Sequence, residues 1–548
     1  MNLIADLGQT LRRLKKVRLN FFDVLSLVAL LVLVEVVFLI AGDYGITWDE
    51  DYCLATGENI IKFYASGFKD HSALIQGEWH WVQYGGLPFV LASLADWFST
   101  GDPFLLRHLS NAFLGILGIV GAWKVSRFLN GPSAAFWSGL FLALTPVYFG
   151  FMFNNHKDVP FAVGYVWALY FLLRFYSALP TPSVSDALKL GVSAGLCSGV
   201  RVGGLMILCY LVGFFAIYPW MNGELNRNRI KEYFREVFPL VFLALVIGFS
   251  VMLLFWPWAL VDPLRRPFLA LSEMTHYRHW GRILSTTFEG VSIPGDRLPM
   301  VYIPRLLFVT LPEIVVALLG FSVFFGMMPL VKAGMTFKRP SKKYQLFGIV
   351  VFSALFPIVY VIVRKSHLYN NHRQMLFVIP PLCCLAGCTL AFVFSWTYQR
   401  WKSVAGVLGA VVCVALSLHV YTMILLHPNQ YVYFNRFIGG LQGARGKYAI
   451  DYWGNSVKEA VEGLMRYLKE KDGEAFKTKQ YRISLFYKDY FSGEYFFPPN
   501  FILVRNSFDA DYGIVAPDLF DDREVVFAVT RLGVPLKKVI KMDRQLGR

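Results

Sequence analysis

Apolar positions in this chain run rather than alternate. Long hydrophobic stretches recur near residues 21–40, 104–123, 134–153, 159–176, 187–200, 203–220, 236–256, 301–321, 345–363, 374–395 and 403–425. At 1.5 Å per helical residue, most of them suffice to cross the roughly 30 Å hydrocarbon core of a bilayer. The pattern predicts an all-α polytopic membrane protein with about eleven transmembrane helices. The first stretch follows Arg12, Arg13, Lys15, Lys16 and Arg18; it is longer than a signal-peptide core and has no small-residue cleavage site, so it reads as a retained span.

Lys and Arg close to span ends favour the cytoplasmic side. With the N-terminus inside, the basic segments 124–127, 174–185, 222–235, 332–343 and 400–402 fall inside as well. Parity then requires two helices in 187–220, with Gly199, Gly203 and Gly204 as the break and Arg201 at its outer end. The outer segments are 41–103, 154–158, 257–300 and 364–373. From 427 onward charge density rises, and helical spacing at Val457, Ala460, Val461, Leu464, Met465 and Leu468 mixes with strand-like runs at 448–452, 482–487, 501–504, 513–516 and 525–530. Ser456 and Glu459 have the spacing of a capping box. These features predict domains at 1–426 (membrane) and 427–548 (a small extracytoplasmic α/β domain).

Composition agrees. Of 548 residues, 56% are hydrophobic and only 16% charged, where soluble domains carry about 25% charged. The net charge of +16 is scattered over short loops and forms no continuous stripe, which points to anionic lipid headgroups and away from nucleic acid. Six of the seven cysteines lie in apolar runs and Cys53 stands alone, so they form no disulfide or metal framework.

The chemistry-bearing residues gather at the outer span ends. Trp48-Asp49-Glu50-Asp51 follows the first span, and Asp158 sits in Asn154-Asn155-His156-Lys157-Asp158-Val159-Pro160 at the mouth of another. For each, a helix-capping role stands beside a functional one. Arg201 and Arg373 supply positive charge on the same side, Arg373 next to His367, Tyr369 and His372; Arg265, Arg266, Arg278 and Arg282 follow Trp258 and suit interfacial anchoring equally well. His276 and His279 lack a third metal ligand. A sugar leaving a polyprenyl phosphodiester needs no general acid, because the phosphate departs as a stable anion. It needs a carboxylate to accept the proton of the attacking hydroxyl and fixed positive charge around the phosphate. Acids facing Arg201, Arg373, His372 and Tyr369 have that composition.

At these residues the sequence resembles the GT-C superfamily of lipid-phosphate-sugar-dependent glycosyltransferases, specifically the protein mannosyltransferase-like glycosyltransferase family 39. The resemblance is carried by Asp49-Glu50, Lys157-Asp158-Val159-Pro160, Arg201-Val202-Gly203-Gly204, Leu298-Pro299-Met300-Val301-Tyr302-Ile303-Pro304, and Tyr369-Asn370-Asn371-His372-Arg373. His427-Pro428-Asn429-Gln430-Tyr431-Val432-Tyr433-Phe434-Asn435, leading to Asp451-Tyr452-Trp453-Gly454, looks like a subgroup of undefined acceptor. The resemblance implies a GT-C fold and transfer, with inversion, of a mannose-like hexose or related sugar from a polyprenyl or dolichyl phosphate. It implies Asp49 as the base, Glu50 as its neighbour and Asp158 as the second acid. Some GT-C enzymes bind a divalent metal through the acids, and the sequence decides this neither way.

An α/β element in place of the lumenal β-trefoil common in that family leaves a glycan, lipid or protein acceptor open, and the missing Asn-X-Ser/Thr sequon favours a bacterial inner membrane. Two rivals exist. A polyprenyl-linked glycan ligase or polymerase would use similar lipid phosphates. A transporter would want mid-span ionisable residues and repeated halves, neither of which is visible.

Overall fold

The computed structural model describes residues 20–75, 81–98, 101–276, 284–323, 339–485, 489–520 and 522–542. Arg278, Arg282 and His279 therefore lie outside the described residues, as do the N-terminal basic cluster and most of 332–343.

The protein is mainly helical. Among the described residues, eight helices are long and apolar enough to cross a membrane. The principal ones are α1 (Phe21–Ile40), α3 (Pro103–Ala143), α5 (Asp158–Ala178), α7 (Leu205–Asn222), α8 (Arg227–Leu254), α9 (Lys342–Val363), α10 (Ile379–Arg400) and α11 (Lys402–Leu426). Between them lie α2 (Glu50–Ala65), α4 (Pro146–Asn154) and α6 (Val184–Ser198). α1 leaves Leu31 and Leu39 exposed, and α11 leaves Val407 and Ile424. Rims of this kind are stable only against lipid.

The other three predicted spans take broken forms. Residues 104–153 hold a hairpin whose turn is Asn130-Gly131, Gly131 having φ +85 ahead of Pro132. Gly139 packs back against Ile119 and Trp123. The turn falls three residues beyond the 124–127 segment expected to form it, because Gly and Pro break a helix where Lys and Arg do not. Arg127 instead stays helical and pairs with Asp23 of α1. The second arm stops at Ala143 and restarts as α4 behind Pro146. Residues 187–220 form two helices, α6 and α7, joined by a short 3-10 turn at Val202–Gly204. In 301–321 the helix breaks at Leu311 before Pro312, and the remainder continues as Glu313–Val323.

One end of the bundle gathers basic chain. Lys342 Nζ donates to Leu179 O at 2.8 Å, Lys343 Nζ to Asn130 Oδ1 at 3.2 Å, and Gln345 Nε2 to Asn222 Oδ1 at 3.4 Å. The opposite end carries the acid-bearing loops and two sheets. A ribbon pairs β1 (Ser285–Phe288) with β2 (Val291–Pro294). The C-terminal part contains α12 (Val457–Asp472) against a five-stranded sheet in the order β4-β3-β5-β7-β6, from β3 (Tyr481–Leu485), β4 (Phe501–Leu503), β5 (Tyr512–Val515), β6 (Val525–Arg531) and β7 (Val534–Lys541). β4, β3 and β5 run parallel; β7 is antiparallel to β5 and β6.

Three sequence expectations need correction here. Residues 448–452 form a turn, with Asp451 at φ +47 and Gly454 at φ +75, and make only an isolated bridge from Tyr448 to Phe288. Ser456 occupies the N-cap of α12 without capping it: its hydroxyl donates to Asp451, while Glu459 accepts from Asn429 and pairs with Arg531. Tertiary partners outcompete the local box. β7 escaped the sequence reading, although the Leu532-Gly533 turn, both residues at positive φ, is a hairpin signal.

Candidate functional site

The site is assembled where the first outer loop, the entry to α5, the α6–α7 break and the segment before α10 converge. Asn155 caps α5: its Oδ1 accepts from the amides of Lys157 at 3.2 Å and Asp158 at 2.8 Å. The Asp158 carboxylate is thereby released from capping and turned inward, where it is buried. Arg201 Nη2 donates to its Oδ1; Arg373 Nη1 donates to Oδ2 at 3.3 Å and Asn155 Nδ2 donates to the same oxygen at 2.9 Å. Both guanidiniums are buried too, and in each the Nε has no hydrogen-bond partner among the described residues.

Asp49 and Glu50, though adjacent, face different surroundings. Asp49 stands just before α2, and its carboxylate, 24% exposed, pairs with Lys157 Nζ at 2.8 Å and lies 3.8 Å from Arg373 Nη1. Glu50 is buried, with only 2% exposed. Its Oε1 accepts from Thr47 N at 2.6 Å and Thr47 Oγ1 at 3.0 Å, while Oε2 lies 3.0 Å from His108 Nε2 and 3.5 Å from His156 Nε2. Burial alone would push this carboxyl up, but the two imidazoles outweigh it and bring it down to about 2. Glu50 thus ties down the loop ahead of α2, where Asp49 stands at the N-cap without capping it.

Aromatic rings surround the cations. Lys157 and Arg201 both lie over Tyr84, at 5.4 and 5.5 Å, and Arg373 lies over Tyr369 at 5.2 Å and Trp453 at 4.8 Å. His372 turns elsewhere: its Nε2 is 3.3 Å from Thr310 Oγ1, and burial lowers it to about 4. It is therefore a neutral hydrogen-bonding group, adding no charge near Arg373. The structure thus brings together Asp49, Asp158, Arg201, Arg373 and Tyr369 from the sequence reading, sets Glu50 behind them and turns His372 aside.

Sequence reasoning assigned no role to Lys157, His108, His156, Tyr84 or Trp453. Lys157 and His156 stand in the segment of Asp158, and Trp453 in the Asp451-Tyr452-Trp453-Gly454 motif; His108 and Tyr84 carry no local signal. Among the described residues no group of three or more His, Cys, Asp or Glu side chains is disposed to hold a metal ion.

Arg201 and Tyr84 also mark the head of a cavity of about 680 Å³. From there it follows Leu205, Met206, Cys209, Gly213 and Ile217 of α7, with Phe352, Phe356 and Tyr360 of α9 on the other wall. The stretch from Leu205 to Ile217 covers about 18 Å at helical rise.

Residues 100–258, which hold Asp158 and Arg201, match the family described as dolichyl-phosphate-mannose-protein mannosyltransferase. The match covers less than a third of the chain and lies within its membrane part, where the long apolar helices are found. Among solved structures, it is similar to ArnT from Cupriavidus metallidurans in the apo state, at 15% identity and TM-score 0.46 over 96% of this chain and 98% of that one. It is likewise similar to the same protein bound to undecaprenyl phosphate (14%, TM-score 0.48, 94% and 97%). A third is the Archaeoglobus fulgidus oligosaccharyltransferase in the apo form (14%, TM-score 0.47), of which the match covers 65% and which it meets over 88% of this chain. No curated protein matches the sequence.

Proposed function

We propose that this protein transfers a hexose or related sugar from a polyprenyl or dolichyl phosphate to an acceptor hydroxyl at the extracytoplasmic face, with inversion. One observation carries the reading. Two buried guanidiniums share Asp158, each with an Nε left over among the described residues, and one of them heads a long apolar cavity. A charged mouth on a hydrocarbon-lined groove suits an anionic headgroup with a polyisoprenoid tail, and a guanidinium fork suits a phosphate better than an ammonium does.

In this reading the donor phosphate is held by Arg201 and Arg373, with Tyr369 beside them. Asp49, the more accessible acid, faces the acceptor. As the acceptor oxygen attacks the anomeric carbon, the bond to the phosphate oxygen breaks, the proton passes to Asp49, and the charge gathering on the phosphate is met by the two arginines. Glu50 does not touch substrate; it fixes the loop that carries Asp49. The membrane is a bacterial inner membrane, with the N-terminus in the cytoplasm and the C-terminal domain, from 427, outside.

The test is binding of undecaprenyl phosphate to the purified protein in nanodiscs. Arg201→Lys and Arg373→Lys are expected to weaken it about tenfold or more, since each loses one charge-assisted hydrogen bond of a forked pair. Unchanged affinity with lowered thermal stability would identify these residues as structural ion pairs and remove them from the site.

A further inference from the structure

The Asp451-Tyr452-Trp453-Gly454 motif has no place in the chemistry above, yet its turn reaches the loop of Asp49, the loop of Asp158 and Arg373. Trp453 is buried and packs edge-on against Phe151, ring centroids 5.2 Å apart, with the Arg373 guanidinium over its indole. The neighbouring backbone is held in an unusual shape. Asp451 occupies the left-handed region, where L residues are disfavoured, and its carboxylate accepts from the hydroxyls of Tyr431 and Ser456. Gly454 is also left-handed, and a Cβ there would stand 2.6 Å from Trp48 Nε1 and 2.8 Å from Asp489 Oδ1. Those two atoms are themselves joined, Trp48 Nε1 donating to Asp489 at 2.7 Å, and Asp489 is paired with Lys537 Nζ at 2.8 Å in the interior of the C-terminal element. Trp48 immediately precedes Asp49.

Asn455 completes the arrangement. Its Oδ1 accepts from Gly45 N at 2.9 Å and Asn154 Nδ2 at 2.8 Å; its Nδ2 donates to Pro428 O at 3.1 Å and Asn429 Oδ1 at 2.7 Å. One buried amide thus spends all four of its hydrogen bonds joining the loop of Asp49, the loop of Asp158 and the exit of α11. A docking contact that served only cohesion could fall anywhere on the bundle end. This one falls within four residues of Asp49 and of Asp158 and on Arg373 itself.

We infer that the 451–455 turn is a positioning clamp through which the C-terminal element completes the donor site, with Trp453 holding the plane of the Arg373 guanidinium and Asn455 fixing the spacing of the two acid-bearing loops. The inference rests on the reading of Arg373 as a phosphate ligand. Trp453 is a positioning residue: it acts through Arg373 and does not touch the donor.

The experiment measures undecaprenyl phosphate affinity and melting temperature for the full chain in nanodiscs, comparing wild type, Trp453→Phe, Trp453→Leu and Arg373→Lys. Cation–π contacts of the usual strength translate to a loss of about 3- to 30-fold for Trp453→Leu, with Trp453→Phe between it and wild type because a smaller ring face remains. Should Trp453→Leu not be recovered, the gap between wild type and Trp453→Phe, about threefold, decides. If the Trp453 variants bind as wild type does while Arg373→Lys binds weakly, the clamp is overturned and the donor site stands. If Arg373→Lys also binds as wild type does, or wild type itself does not bind, the phosphate reading fails first.

Discussion

Glu50→Gln separates the two neighbouring acids of the first outer loop. The Glu50 carboxylate is buried, caps Thr47 through one oxygen and faces His108 and His156 through the other. Holding it at about 2, against 4.5 for a free glutamate, corresponds to about 3 kcal/mol at 1.4 kcal/mol per unit. That is the scale on which breaking a buried ion pair destabilises a protein. Glutamine fits the space and keeps one acceptor for Thr47, so cavity formation contributes little and the loss reports the charge. The sign follows from the direction of the shift. A carboxyl depressed in the folded state contributes stability that is complete above its unfolded value, near pH 4.5, and lost as pH falls from there toward 2. At pH 7 the variant therefore lacks the whole contribution. Thermal unfolding in nanodiscs at pH 7 should show a melting temperature several degrees below wild type, with the difference shrinking as both proteins are taken below pH 4.5. A variant that melts with wild type at pH 7 would refute the argument, since the imidazoles would then not be sustaining a buried carboxylate.

Asp49→Asn should melt closer to wild type, because the carboxylate is 24% exposed and asparagine keeps its size and most of its hydrogen bonding, but transfer should fall ~10²–10⁴-fold with purified donor and acceptor; near-normal turnover would remove Asp49 as the base. For topology, single cysteines introduced within 440–485 should react with an impermeant thiol reagent from outside, and cysteines at 339–343 only after permeabilisation. Labelling of both from one side would contradict the placement of the basic and acidic ends on opposite faces.

Much of this architecture was legible in the chain because its causes are local. A long apolar run must become a helix in hydrocarbon, where each backbone polar group needs a partner within its own segment. Gly199, Gly203 and Gly204 break that helix wherever it folds, and short strand-like runs announce β3 to β6. Charged residues at span ends likewise announce a site. What only the tertiary structure decided is which of them meet. Consecutive helical residues point about 100° apart, so packing alone turned Glu50 inward to His108 and His156 and left Asp49 open to Lys157. The turn at 451–455, whose first two residues the sequence reading put in a strand at 448–452, takes its shape from partners as remote as Gly45, 410 positions away from Asn455. No window along the chain contains such contacts: they exist because folding brings distant polar groups into one buried volume, where each must find its partner or destabilise the whole.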